Sequence, residues 1–279
     1  MRTLLAVALS ACAYYASVGL GEFWAAAWVA PIPVLLVAFR SSWYKAALAA
    51  FAAYFLGSLN LLAYLSKVLP IPLVIAALAG ASLVFALAAL ASRFAVRRLP
   101  GWSAAFVFPA AWTAYEFLVS LGSPHGTALS LAYSQTDVLP LLQIASVTGL
   151  WGITFVVTLV PSAIAVAISE VPRRSVSALV PALAITCIVL CSGIFRLQTP
   201  PIQPEVRVGL AAADQGIEAA FETDNPAVAL AVARAYASRI ARLATEGAQV
   251  VVLPEKFVGV TTADWDAIQQ VFGSTAPLT

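Results

Sequence analysis

Residues 71–92 read IPLVIAALAGASLVFALAALAS, a continuous run of 22 residues that contains no charged side chain. A helix needs about 20 mostly apolar residues to cross the roughly 30 Å hydrocarbon core of a bilayer. Further stretches of this kind lie at 3–20, 23–39, 46–66, 102–121, about 141–169 and 176–195. The sequence therefore predicts a multi-pass α-helical membrane bundle of about seven transmembrane helices, which occupies residues 1–197.

The composition places the chain outside the class of ordinary soluble proteins. Of its 279 residues, 62% are hydrophobic and 10% are charged, whereas soluble domains are about 45–50% apolar and about 25% charged. Residues 1–200 hold ten basic and four acidic residues, and residues 201–279 hold five basic and nine acidic ones. No basic patch is interleaved with aromatic residues, so a nucleic-acid partner is not expected.

The distribution of Lys and Arg predicts how the bundle is oriented, because cytoplasmic loops carry the excess of these residues. With the N-terminus inside, eight of them fall on the cytoplasmic side: Arg2, Arg40, Lys45, Arg93, Arg97, Arg98, Arg173 and Arg174. Only Lys67 and Arg196 fall on the other side. We therefore expect a protein of the bacterial inner membrane, with a cytoplasmic N-terminus and a periplasmic C-terminal tail.

The last part of the chain has the pattern of an α/β domain. A proline-rich linker over 198–204 blocks helix, because proline lacks an amide donor. In the segment that follows, 205–279, residues 206–211 alternate like a strand and 226–246 favour a helix. Residues 249–254 are a β-branched run typical of a fully buried strand. This order predicts one βαβ unit with a parallel strand pair.

Glu255 follows directly after the second predicted strand. The carboxyl ends of parallel strands are where α/β proteins place their sites. A carboxylate there is partly desolvated, which suits it to act as a general base. The alternative is that Glu255 is a solvated loop residue.

Within the fifth predicted span, Trp112 and Glu116 are four residues apart and share one face of a helix. An ionisable group inside an apolar span is costly and is a functional candidate by default. The alternative is that Glu116 lies high enough to reach the interface with water.

The outer loop that follows this span is polar and contains His125, Tyr133 and Gln135. His125 is the only histidine in the chain, so neither a histidine-based metal site nor a Ser-His triad is supported. The three cysteines have no metal-ligand spacing. We therefore expect no metal and no cofactor.

Four stretches of the chain carry a family resemblance. They are FPAAWTAYE at 108–116, YSQ at 133–135, LLQIASVTGLWGITF at 141–155 and VVVLPE at 250–255. In this order they resemble the bacterial apolipoprotein N-acyltransferase family, in which a membrane bundle carries a periplasmic nitrilase-like (carbon-nitrogen hydrolase) domain. The resemblance implies that residues 205–279 begin a nitrilase-like αββα domain.

The resemblance also implies an activity and its partners. A cysteine thiolate, activated by a Glu and a Lys, would take an acyl chain from a phospholipid as a thioester. The N-terminal diacylglyceryl-cysteine of an apolipoprotein would then receive the chain on its amine. Glu255 would be the general base. Trp112, Glu116, His125, Tyr133 and Gln135 become candidates for a site where lipid substrates enter from the bilayer.

Two departures from the family pattern set further expectations. The family's Lys and Cys lie well beyond its Glu, and neither has a counterpart here, since Lys256 is not at the family position. We therefore expect a fragment or truncated form that is inactive alone. Phe221 also stands in the region where the family has a Trp, which points to a divergent relative with another acyl donor or acceptor.

Two other functions stay open at this point. One is another membrane-anchored carbon-nitrogen hydrolase. The other is a non-enzymatic transporter or lipid-binding scaffold, which would be expected to show paired charges or broken helices at the membrane midplane. We expect this protein to be a monomer.

Overall fold

The computed structural model describes residues 1–19, 23–123, 125–169, 176–198, 205–212, 225–254 and 265–273. The chain divides into two units, Met1–Thr199 and Pro200–Thr279. Beyond Gln198, the predicted linker lies outside the described residues. Its limits stay a prediction.

The described part of the first unit is helical throughout. Its α-helices are Arg2–Ser17 (α1), Trp24–Ala27 (α2), Pro31–Arg40 (α3), Trp43–Ser58 (α4), Leu62–Leu65 (α5), Ile71–Val96 (α6), Gly101–Ala104 (α7), Val107–Gly122 (α8), Leu139–Leu142 (α9), Ala145–Thr148 (α10), Leu150–Ile168 (α11) and Leu179–Gln198 (α12). Short 3-10 helices lie at Leu59–Leu61, Leu131–Gln135 and Val176–Ala178.

Five stretches of the described residues are long and apolar enough to cross a bilayer. They are Trp43–Leu65, Ile71–Val96, Gly101–Gly122, Leu150–Ile168 and Val176–Gln198. The apolar helices at Thr3–Ser17 and Trp24–Arg40 are shorter. The prediction of a helical membrane bundle is confirmed, whereas the count of seven spans and the orientation stay predictions.

The sixth predicted span, 141–169, is shorter in the structure. Gly149 adopts a left-handed backbone with a φ of +66°, which ends α10 after Thr148. The long helix α11 therefore begins only at Leu150. The turns before Gly149 form the separate short helices α9 and α10.

Small side chains allow α4 to pack closely against α1 and α6. The buried positions of α4 include Ala46, Ala49, Ala50 and Ala53. At Gly57, an added Cβ would lie 2.4 Å from the Cβ of Tyr14. In a bilayer, where lipid is as apolar as leucine, such close backbone packing is what favours helix association.

An aromatic cluster forms the centre of this unit. The Tyr54 ring lies 4.8 Å from Phe85, 4.9 Å from Trp112 and 5.1 Å from Tyr14, measured between ring centroids. Phe85 also contacts Phe108 at 5.3 Å. Each such pair contributes about 0.5–1.5 kcal/mol beyond the burial of area. The cluster joins α1, α4, α6 and α8, and it fixes the position of Trp112.

The described part of the second unit contains a strand pair and two helices. Strand β1 (Val208–Leu210) pairs in parallel with β2 (Val250–Val252), with Val208 opposite Val250. Helix α13 (Pro226–Thr245) lies between them in the chain, and α14 (Trp265–Gly273) packs against it. The Asn225 side chain caps α13 by accepting a hydrogen bond from the Ala227 N–H at 3.1 Å.

The second strand differs from its prediction as a fully buried strand. Val250 and Val252 are each 48% exposed. In the described residues the sheet has only two strands, so one helix beside them leaves much of their surface uncovered. The assignment of this unit to a nitrilase-like domain stays a prediction.

The close contact at Gly57 can be tested with a matched pair of substitutions. Gly57→Ala should destabilise the bundle by about 1–3 kcal/mol, because the new methyl group overlaps Tyr14. Gly80→Ala is the control, because a Cβ added at Gly80 meets no atom within 4 Å. Thermal unfolding of the full chain in detergent micelles measures both. Equal midpoints for the two variants would contradict the packing described here.

Candidate functional site

The Glu116 carboxylate, on α8, is surrounded by hydrogen-bond donors. Its Oε1 accepts from the Trp112 indole N–H at 3.1 Å and from the Leu131 backbone N–H at 2.9 Å. Its Oε2 accepts from the hydroxyls of Ser130 and Thr154, each at 2.7 Å. A deprotonated carboxylate offers about four acceptor positions, so these donors use all of them. This explains how a carboxyl group is accommodated within an apolar span.

These hydrogen bonds connect three elements of the first unit. Glu116 and Trp112 lie on α8, Thr154 lies on α11, and Ser130 and Leu131 begin the 3-10 helix at Leu131–Gln135. The segment that follows α8 therefore folds back into the bundle. Leu131 is buried there.

Gln135, the last residue of the same 3-10 helix, anchors its C-terminal end. Its side chain is fully buried. Its Oε1 accepts a hydrogen bond from the Trp28 indole N–H at 2.8 Å. Its Nε2 donates to the Trp24 carbonyl at 3.0 Å and to the Ser134 hydroxyl at 2.9 Å. We call residues 126–135 the returning loop. Glu116 binds it at Ser130 and Leu131, and Gln135 anchors its last residue.

Leu129, in the returning loop, has a left-handed backbone with a φ of +71°. A residue with a Cβ pays roughly 1–2 kcal/mol for this conformation. Such strain persists where the surrounding structure fixes the backbone, and it clusters in functional segments. Here the adjoining residues, Ser130 and Leu131, are both held by Glu116.

Two adjacent cavities lie between α4 and the returning loop. Their volumes are about 190 Å³ and about 150 Å³. The residues that line both are Tyr54, Ser58, Leu61, Leu129 and Ser130. Glu116 and Trp112 also line the first cavity, whose remaining wall is mainly apolar. An apolar cleft with a few placed polar groups is the usual form of a site for a small molecule or lipid chain.

The structure brings four of the sequence-predicted site residues to this region. Trp112, Glu116 and Gln135 hold the returning loop, and Tyr133 lines the second cavity, where its hydroxyl lies 2.8 Å from that of Thr127. His125 does not join them. It is exposed and lines neither cavity.

Glu255 lies outside the described residues, so its role stays a prediction. Among the described residues, no group of three or more His, Cys, Asp or Glu side chains is placed to hold a metal ion.

Among the site residues that the sequence reasoning missed, four are most informative. Ser130 and Thr154 bind Glu116, Trp28 binds Gln135, and Tyr54 lines both cavities. Ser130 carries a local signal, because a serine before a short helix is a common cap. The other three are distant in sequence from their partners, and their own segments contain no cue to the contact.

Residues 10–163 match the family model of the apolipoprotein N-acyltransferase N-terminal domain, which is more than half of the chain. The matched stretch contains every residue of the Glu116 and Gln135 networks. No curated protein matches the chain.

The Glu116 network can be tested by comparing Gln with Ala at this position. The amide introduced by Glu116→Gln can accept from Trp112 and Leu131 through its oxygen, while its NH₂ group donates to the two hydroxyls, which can rotate. This variant should therefore keep most of the stability. Glu116→Ala leaves the N–H groups of Trp112 and Leu131 without an acceptor, while the Ser130 and Thr154 hydroxyls, 3.3 Å apart, can bond each other. This variant should cost about 3 kcal/mol. Thermal unfolding in detergent measures both, and equal losses would contradict this account.

The strain at Leu129 gives a second comparison. Leu129→Gly should change the free energy of unfolding by less than about 0.5 kcal/mol, because relief of the left-handed backbone offsets the loss of the side chain. Leu87 is similarly exposed but lies in the interior of the helix α6. Leu87→Gly should therefore cost about 1 kcal/mol. The same unfolding measurement decides, and a larger loss at Leu129 than at Leu87 would show that Leu129 is unstrained.

Proposed function

This chain belongs to the family of the apolipoprotein N-acyltransferase N-terminal domain, and we propose that it serves the transfer of an acyl chain from a phospholipid to the N-terminal diacylglyceryl-cysteine of apolipoproteins. The observation that carries the proposal is the family match over the residues that build the returning loop and its cavities. The match confirms the resemblance drawn from the sequence. It favours acyl transfer over a transporter or a passive scaffold.

The proposed role of the bundle is to hold an acyl chain of the lipid substrate between α4 and the returning loop. Leucine, alanine and aromatic side chains supply the apolar wall of the first cavity. An acyl chain that enters from the bilayer exchanges hydrocarbon for this apolar wall, so close packing rather than the hydrophobic effect holds it there. Ser58 and Ser130 also line both cavities, where their hydroxyls donate to the Tyr54 carbonyl and to Glu116.

The proposed chemistry has two acyl-transfer steps. A cysteine thiolate attacks the ester carbonyl of the phospholipid, a thioester forms, and the lysophospholipid leaves as its alcohol. The amine of the diacylglyceryl-cysteine then attacks the thioester, an amide forms, and the thiolate is released. Splitting one difficult transfer in this way gives two easier steps.

In this scheme Glu255 moves the protons. It accepts the proton of the thiol, gives it to the departing lysophospholipid oxygen, and later accepts one from the attacking amine. Cys12, Cys187 and Cys191 lie on apolar helices of the first unit, so none is the counterpart of the family's nucleophile. The parts of the reaction that we assign to these 279 residues are therefore the bundle and the general base. We place the protein in a bacterial inner membrane with its second unit in the periplasm.

The proposal is tested in cells from which the gene has been deleted, by mass spectrometry of lipoprotein N-termini. We expect the deletion to leave the α-amine free and the full-length gene to restore the amide-linked acyl chain. Glu255→Gln should lower the extent of acylation about 100-fold or more. His125→Ala is the control, because His125 is exposed and lines neither cavity. Fully acylated N-termini in the deletion strain would exclude the proposed function.

A further inference from the structure

Five basic residues lie at one end of the helical unit. They are Arg40, Lys45, Arg93, Arg97 and Arg98. We call them the basic cluster. They occur where α3 ends, α4 begins and α6 ends, so the chain brings them together from two separate segments.

Hydrogen bonds to backbone carbonyls fix two of these arginines at the turn between α3 and α4. Arg93 donates to the Ser41 carbonyl through Nε at 3.1 Å and through Nη2 at 2.8 Å. Arg97 donates to the Phe39 carbonyl through Nη2 at 3.1 Å. The C-terminal carbonyls of a helix carry partial negative charge, which favours cations there. The remaining donors of both guanidinium groups make no further hydrogen bond within the described residues.

The positive charge of the basic cluster is not neutralised by the described part of the chain. No carboxylate there lies within ion-pair distance of any of its five members. The acidic residues described in the first unit are Glu116 and Asp137, and both lie near the opposite end of the bundle, with the returning loop. An anionic ligand would supply the partner that the described residues do not.

The start of α4 adds donors at the same place. The first N–H groups of an α-helix have no partner within the helix, and they form the positive end of its dipole. Ser42 is the N-cap of α4, yet its side chain makes no capping bond. Its Oγ is buried and has no hydrogen-bond partner within the described residues. Ser42 directly follows Ser41, whose carbonyl Arg93 binds.

Exposed aromatic side chains border the basic cluster. Trp43 and Tyr44 are 67% and 54% exposed, and the guanidinium carbon of Arg98 lies 4.4 Å from the centre of the Phe94 ring. Trp and Tyr are enriched where a membrane protein meets the head groups of the bilayer. A free phosphate ion would not pack against these rings, whereas a lipid contacts both the rings and the cations.

We propose that the basic cluster binds the phosphate of an anionic phospholipid head group. This site is distinct from the two cavities proposed to hold the acyl chain and does not depend on them. Lys45 lies in the first turn of α4 and Ser58, which lines both cavities, is its last residue. The two sites therefore lie at opposite ends of one 16-residue helix. The lipid bound here is a structural ligand and is not the acyl donor.

Lys45 and Arg98 are the members to change, because neither side chain makes a hydrogen bond within the described residues. Each basic residue near an anionic membrane surface raises lipid binding about fivefold. The double substitution Lys45→Gln, Arg98→Gln should therefore weaken binding of dioleoylphosphatidylglycerol about 25-fold. Binding of dioleoylphosphatidylcholine should stay the same.

The measurement uses the full chain purified in an uncharged detergent. Each protein is titrated with dioleoylphosphatidylglycerol, with dioleoylphosphatidylcholine or with inorganic phosphate. Native mass spectrometry then counts the molecules that stay bound. Lys45→Arg, Arg98→Lys keeps both charges and should bind like the unchanged chain. Lys67 follows α5, beyond the end of α4 that lies away from the basic cluster. Lys67→Gln removes one charge there and should also leave binding unchanged. Thermal unfolding without lipid verifies that each variant is folded.

Two results would overturn the proposal. One is that the double Gln variant retains dioleoylphosphatidylglycerol as well as Lys67→Gln does. The other is that inorganic phosphate displaces the lipid at equal concentration, which would assign the site to free phosphate. If the double Gln variant were unfolded, Arg98→Gln alone would be compared with Lys67→Gln, with about fivefold weaker binding expected.

Discussion

A carboxylate inside an apolar helix must find its hydrogen-bond donors within the protein, because hydrocarbon supplies none. Glu116 takes them from its own helix, from α11 and from the returning loop. Each bond satisfies the carboxylate and also fixes one element in place. The strained backbone of Leu129 and the cavity walls that it forms therefore depend on this one side chain.

The returning loop rests on a base of close-packed helices. The aromatic cluster around Tyr54 holds Trp112, and Trp112 in turn donates to Glu116. Small residues of α4 allow α1 and α6 to approach, which places Tyr54 within reach of rings from three other helices. Packing in the apolar interior and polar contacts at the loop thus form one connected system.

Sequence reasoning predicted the local features of this system and missed the distant ones. The apolar runs predicted the membrane helices, and the spacing of Trp112 and Glu116 predicted that they share a face. Nothing near Thr154 or Trp28 in the sequence predicts their partners, because those contacts depend on how helices far apart in the chain pack. For the sixth span, the sequence predicted that the first turns, from Leu139 to Ser146, precede the span proper. It did not show that Gly149 marks the division, because an apolar run does not reveal where a left-handed residue lies.

The bond between Trp28 and Gln135 joins residues 107 positions apart in the chain. A ribosome that adds about 5–20 residues per second needs roughly 5–20 seconds to synthesise that interval. During this time the indole N–H of Trp28 has to be satisfied by water or by lipid head groups. Trp28 therefore reaches its final hydrogen bonding only after Gln135, which follows α8, has been synthesised.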